Sequence, residues 1–168
     1  SDMKLYLGRE VYYTSDVIGA IKNGEHLGMI DNHYILLEYS PEREYSYIRR
    51  SIYEILQQEY IPIIAHVERC EALIMDMERV YELREMGALI QINAAAVDGK
   101  NGTQIKKYVR ALLKEELVDF IATDAHSAGT RSPRLRTCAM YIEKKYGKQY
   151  AEKIMKINPD KIINGEKW

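Results

Sequence analysis

Glu10, Glu38, His66, Asp124 and His126 are side chains of the kinds that hold divalent cations. Taken singly, each has an ordinary explanation. A glutamate after a strand is commonly solvated, and a histidine after an apolar run is commonly a satisfied core residue. The Asp124-Ala125-His126 pair is sharper, because alternate residues leaving a strand point to the same side. As a set, carboxylates and imidazoles are the ligand mix for Mn²⁺, Zn²⁺ or Fe²⁺. Two or more such cations close to a bridging carboxylate can make hydroxide at neutral pH and clamp an in-line displacement. Arg69 follows His66 by three residues and Arg131 follows His126 by five. Each is either a surface residue or a planar fork that grips a tetrahedral oxyanion bidentately. Glu68 and Arg134 stand near enough to assist but carry no separate signal. His26 and His33 occupy a turn-like stretch and read as structural or solvated.

Such a set acts together only if the chain brings it to one place. Short aliphatic and β-branched runs at Arg9–Tyr13, Tyr34–Tyr39, Ile61–His66, Ala88–Asn93 and Val118–Thr123 predict strands. Four of them carry a polar residue at or next to their end, at Glu38, His66, Asn93 and Asp124, and the first carries Glu10. From Glu10 onward these polar positions are 28, 28, 27 and 31 residues apart. An interval of about 30 residues is one strand-helix unit. Continuous apolar strands separated by helices predict a parallel sheet buried on both faces, with the polar residues meeting at its carboxyl ends. A closed barrel and an open doubly wound sheet both fit that pattern.

Helical spacing fills the gaps. Thr14 or Ser15 caps a helix carrying Val17, Ile18 and Ile21, which stops at Gly24. Ile48, Ile52, Ile55 and Leu56 mark a second, and Leu73, Met77, Val80 and Leu83 a third that ends at Gly87. Ile105, Val109, Leu112 and Leu113 mark another. Ser132-Pro133 predicts a helix start closed by Gly147, and Asn158-Pro159 predicts a break before a short last segment.

Composition bounds the remainder. The chain has 168 residues, 46% of them apolar, which suits one domain with a real core. A net charge of −1 gives no reason to expect attraction to nucleic acid or anionic lipid. Two cysteines make no disulfide framework, and neither a signal peptide nor an apolar run near 18 residues is present, so a cytoplasmic location is expected. Tyrosine outnumbers phenylalanine 14 to 1, and most of these rings are expected at the core or its rim. Residues 1–3 read as an expression scar and start, and residues 4–168 as the domain.

The segments Gly-Arg-Glu-Val-Tyr-Tyr-Thr-Ser-Asp-Val (8–17), Ile-Leu-Leu-Glu (35–38), Ile-Ala-His-Val-Glu-Arg (64–69), Gln-Ile-Asn (91–93) and Ile-Ala-Thr-Asp-Ala-His (121–126) resemble the polymerase-and-histidinol-phosphatase (PHP) superfamily. Within it they are most similar to the capsular-polysaccharide type of bacterial tyrosine-protein phosphatase. Arg131 and Asn-Pro-Asp-Lys-Ile (158–162) fall in step, so the similarity spans nearly the whole chain. It implies a distorted seven-stranded βα barrel and a trinuclear, manganese-preferring site, with iron or zinc as alternatives. It further implies hydrolysis of phosphotyrosine by a metal-bridging hydroxide, on the tyrosine-rich tail of a bacterial kinase that controls polysaccharide export. Under this resemblance Glu10 is the bridging carboxylate, and Glu38 with His66 completes one metal's shell. Asp124 serves a second metal and His126 a third, while Arg69 and Arg131 hold phosphoryl oxygens.

Family members open with a His-x-His strand, and no histidine precedes His26 here. The comparison therefore implies an incomplete barrel lacking its first two βα units, from an N-terminally shortened chain or a fragment gene. Weak or absent turnover and self-association through an exposed barrel edge follow as expectations. Two other readings stay open: a small-substrate PHP phosphoesterase acting on a compound such as histidinol phosphate, and a non-catalytic metal-binding or interaction module.

Overall fold

The computed structural model describes residues 4–127, 129 and 133–168; the expected scar at residues 1–3, and Arg131 and Ser132, lie outside the described residues. All five expected strands form: β1 (Glu10–Tyr12), β2 (Tyr34–Glu38), β3 (Ile61–Ile64), β4 (Leu89–Asn93) and β5 (Phe120–Ala122). They make one sheet in the order β1-β2-β3-β4-β5, and each neighbouring pair is parallel. Between them run α1 (Asp16–Lys22), α2 (Tyr45–Leu56), α3 (Met77–Glu85), α4 (Ala94–Asp98) and α5 (Thr103–Lys114). After β5 come α6 (Arg136–Tyr146), α7 (Lys148–Glu152) and α8 (Asn158–Asn164).

The period-2 geometry of a strand divides the sheet into two faces. One face carries Val11, Ile35, Leu37, Ile64, Ile90 and Ile92 into the main core, against Ile48 and Ile52 of α2, Leu83 of α3 and Leu112 of α5. The opposite face begins with Tyr34, Ile63, Leu89 and Phe120, which pack on Ile162 of α8. Nearer the carboxyl ends the same face turns polar, because Glu38, Gln91 and Asn93 stand two or four residues further along these strands. Apolar burial at one end thus holds the sheet while the other end presents chemistry.

The chain's last helix is seated on that second face. The Tyr34 hydroxyl donates to the Glu166 carbonyl at 2.6 Å, and Asn32 Nδ2 donates to the Ile162 carbonyl at 2.6 Å. Trp168 adds ring contacts to Tyr34 and Phe120, with centroids 6.5 and 5.6 Å apart. The expected break at Asn158-Pro159 does not occur. A π-helical turn at Lys153–Ile157 runs directly into α8, whose first turn holds Pro159 where its missing N–H costs nothing. The expected start of α6 at Ser132-Pro133 is also displaced, since the helix begins at Arg136.

β5 is anchored at its head by a buried ion pair. Asp119 is almost wholly enclosed; its Oδ1 accepts from Arg84 Nη2 at 2.8 Å and its Oδ2 from the Ile90 backbone N–H at 2.9 Å. Burial pushes its carboxyl pKa up, although the Arg84 guanidinium and the Ile90 N–H pull it down. One side chain therefore ties α3, β4 and β5 together.

The seven-stranded barrel lacking two leading units is corrected by this arrangement. Among the described residues there are five strands in one open, sequentially ordered sheet, with β1 and β5 at its edges. Among the described residues β1 and β5 are not paired with each other, so the sheet does not close on itself. The face that a barrel would turn inward is covered instead by α8 and Trp168.

Candidate metal centre

Glu10 lies on β1, Glu38 ends β2, and His66 follows β3 by two residues. In the parallel registers Glu10 lies opposite Leu36 and Tyr12 opposite Glu38, so Glu38 stands two residues nearer the carboxyl rim than Glu10, and the turn after β3 carries His66 to both. His66 Nε2 is 2.9 Å from Glu10 Oε1 and 3.5 Å from Glu38 Oε1. One ligand atom from each of the three lies within 4.8 Å of the others. Ligands of a single tetrahedral cation, each about 2.0–2.2 Å from it, stand roughly 3–4 Å apart, so two carboxylate oxygens and one imidazole nitrogen fit such an ion.

Backbone shape aims the imidazole. His66 has φ 32°, a left-handed conformation that a non-glycine side chain adopts only when its surroundings impose it. Here the His66 N–H donates to Gln91 Oε1 at 2.5 Å, which pins the turn to β4. The ring is buried, and its Nδ1 has no hydrogen-bond partner among the described residues. Its Nε2 is consequently the nitrogen offered to the two carboxylates.

From β4 a hydrogen-bonded chain leads to the second half of the site. Gln91 Nε2 donates to Asn93 Oδ1 at 2.9 Å, and Asn93 Nδ2 reaches Asp124 Oδ2 at 3.4 Å. Arg69 Nη2 donates to the same Asp124 oxygen at 2.5 Å. Asp124, two residues past β5, also has a left-handed backbone, with φ 51°. His126 is more than half exposed; its Nδ1 lies 2.8 Å from the Asp124 carbonyl oxygen and 3.5 Å from its carboxylate. Glu10, His66 and Asp124 all line one cavity of about 270 Å³. All five candidate ligands therefore stand along one rim. Only Glu10, Glu38 and His66 form a close metal-type cluster among the described residues. The other expected arginine, Arg131, falls outside the described residues.

Glu68 is the residue whose place the sequence did not reveal. It is buried beneath the rim, where its Oε1 accepts the Asn93 N–H at 3.0 Å and its Oε2 has no partner among the described residues. Burial raises its carboxyl pKa to about 7, against the opposing pull of its backbone hydrogen bonds and of Arg69. With the native value raised above the ordinary 4.5, the folded state holds this proton more tightly. Its contribution to stability is full below about pH 4.5 and is lost as pH climbs toward 7. Without added metal, Glu68→Gln should remove this component, so that the drop in melting temperature between pH 5 and 7 is shallower than in the unaltered protein. Parallel melting curves for the two proteins would refute the assignment.

A second cavity, of about 330 Å³, opens beside the Arg69–Asp124 pair and is walled by Asn93, Asp98, Lys100 and Arg134. A parallel sheet with a two-carboxylate, one-imidazole cluster at its carboxyl rim, flanked by a guanidinium, defines an α/β protein with a candidate divalent-metal centre. The chain belongs to the capsular polysaccharide synthesis CpsB/CapC family, whose model matches residues 1–164.

Relatives agree with that placement. The chain is 35% identical over 167 residues to the tyrosine-protein phosphatase CpsB of Streptococcus pneumoniae, covering 96% of this chain and 69% of that protein. It is 30% identical over 142 residues to the tyrosine-protein phosphatase YwqE of Bacillus subtilis, covering 84% and 56%. A solved chain from the crystal structures of YwqE and CpsB, described as unique metal-dependent tyrosine phosphatases, superposes with a TM-score of 0.87 at 27% identity. That match covers 95% of this chain and 64% of the solved one. The chain thus spans between just over half and about two thirds of the length of these relatives.

Proposed function

We propose that this chain hydrolyses phosphotyrosine on a protein substrate in the control of capsular or exopolysaccharide synthesis. The observation that carries this reading is the Glu10–Glu38–His66 cluster, set on the same rim as Arg69 and its adjoining cavity. Its three ligands would hold one divalent cation, Mn²⁺ in our reading, with Asp124 and His126 serving further ions along the rim. When bound, such a cation would neutralise phosphoryl charge and lower the pKa of its own bound water, so that hydroxide is accessible at neutral pH.

The chain's own residues supply position. Arg69 is partly exposed and, among the described residues, is held to Asp124 through Nη2, and its planar fork is proposed to meet phosphoryl oxygens. Arg131 is proposed to act with it. Gln91 and Asn93 fix the distance between the cluster and Asp124, which keeps the reacting group in register. The leaving phenolate has a conjugate acid pKa of about 10, so its early protonation matters less than for an alkyl ester. A tyrosine-phosphorylated kinase tail is the proposed partner and the cytoplasm the proposed location. Among the described residues no helix is long and apolar enough to cross a membrane.

Turnover of a phosphotyrosine peptide in Mn²⁺ buffer, lost in excess chelator and restored by Mn²⁺, is the expected result. An equal rate with and without chelator would contradict it. We further propose that copies associate through the open edge of β1, beside which Leu5 and Leu7 are 86% and 91% exposed. Sedimentation should then show a mass that rises with concentration, and a constant monomer mass would exclude it.

A further inference from the structure

The 330 Å³ cavity beside Arg69 shares Asp98, Lys100 and Arg134 with an outer cavity of about 430 Å³ that is also walled by Arg110, Thr137 and Tyr141. Among the described residues, the two together are lined by four cationic side chains, Arg69, Lys100, Arg110 and Arg134, and by two carboxylates, Asp98 and Asp124, for a balance of +2. The whole chain carries −1, so this charge is local. Asp124 is already engaged by Arg69. Among the described residues, neither Lys100 nor Arg134 is within ion-pair distance of a carboxylate.

The walls of this passage are held in place. α4 ends at Gly99 in a left-handed turn (φ 89°), and the Lys100 N–H then donates to the Ala95 carbonyl at 2.9 Å. Arg110 donates through Nε and Nη2 to the Val97 carbonyl at 3.3 and 3.2 Å and stacks 3.9 Å over the Tyr141 ring. Its guanidinium is thereby a fixed cationic wall, while the Lys100 and Arg134 side chains stay exposed at the entrance.

Building on the phosphotyrosine reading, we infer that this passage is a substrate subsite for an anionic side chain lying next to the phosphotyrosine in the peptide. An acidic neighbour entering it meets Lys100 and Arg134 while the phosphoryl group reaches Arg69. The same charge pattern accepts a glutamate carboxylate or a second phosphate. Two solvent-exposed ion pairs predict a preference of roughly three- to tenfold, reduced by salt.

The test is fluorescence anisotropy in Mn²⁺ buffer with peptides in which a phosphonomethyl-phenylalanine replaces phosphotyrosine and cannot be hydrolysed. The flanking residues are glutamate, glutamine or phosphoserine. We expect the glutamate peptide to bind at least about threefold tighter than the glutamine peptide. In the Lys100→Gln/Arg134→Gln double variant that ratio should fall to near one. The phosphoserine arm shows whether a second phosphate is favoured over a carboxylate. Equal binding of the glutamate, glutamine and phosphoserine peptides, or a preference that survives in the double variant, overturns the subsite and leaves the phosphotyrosine reading standing. Failure of every peptide to bind removes both.

Discussion

The variant His66→Asn is expected to lose phosphotyrosine turnover by at least about a hundredfold, the upper range for removing even an outer partner of a metal ligand. Asparagine is the informative choice. It tolerates the left-handed backbone at this position better than other residues, and its N–H can still donate to Gln91. The imidazole nitrogen that lies 2.9 and 3.5 Å from the two glutamates is what disappears. Far-UV circular dichroism and the melting curve should therefore change little while Mn²⁺ affinity and rate fall together. Full activity in a folded His66→Asn protein would remove His66 from the site.

Asp119→Ala should be the most damaging single change to stability. It strips the acceptor from the Ile90 N–H and leaves Arg84 facing a buried apolar gap. Breaking one side of such a pair costs about 3–5 kcal/mol. Arg84 keeps some access to water, which favours the lower figure. For a chain of this size that is a fall of roughly 6–20 °C in melting temperature. Replacing both partners, as Arg84→Met with Asp119→Leu, should recover part of the loss, because no lone charge then remains buried. A drop of under about 2 °C in Asp119→Ala would show that the pair does not anchor β5.

The strands were legible because their signal is local: Ile61–Ile64 and Leu89–Asn93 are apolar runs that need no distant partner to be recognised. Their polar ends were legible for the same reason, and the registers then place Glu10, Glu38 and His66 together. The seven-strand barrel came from resemblance, whereas the period in the residues supported only the five strands that form. Helix α4 left no trace, since Ala94–Asp98 is little more than one turn and has no amphipathic repeat. Glu68 was seen without a role because its burial depends on β4 delivering the Asn93 N–H from 25 residues away. The basic passage depends likewise on α4, α5 and the approach to α6 meeting in space, which spacing along the chain does not encode.

In the proposed function Glu10, Glu38 and His66 share one cation. Crystals grown with Mn²⁺ and measured near the manganese absorption edge would place it directly. An anomalous peak is expected about 2.0–2.3 Å from a carboxylate oxygen of Glu10, one of Glu38 and Nε2 of His66. A peak elsewhere on the molecule, with these three side chains bound only to one another, would contradict it.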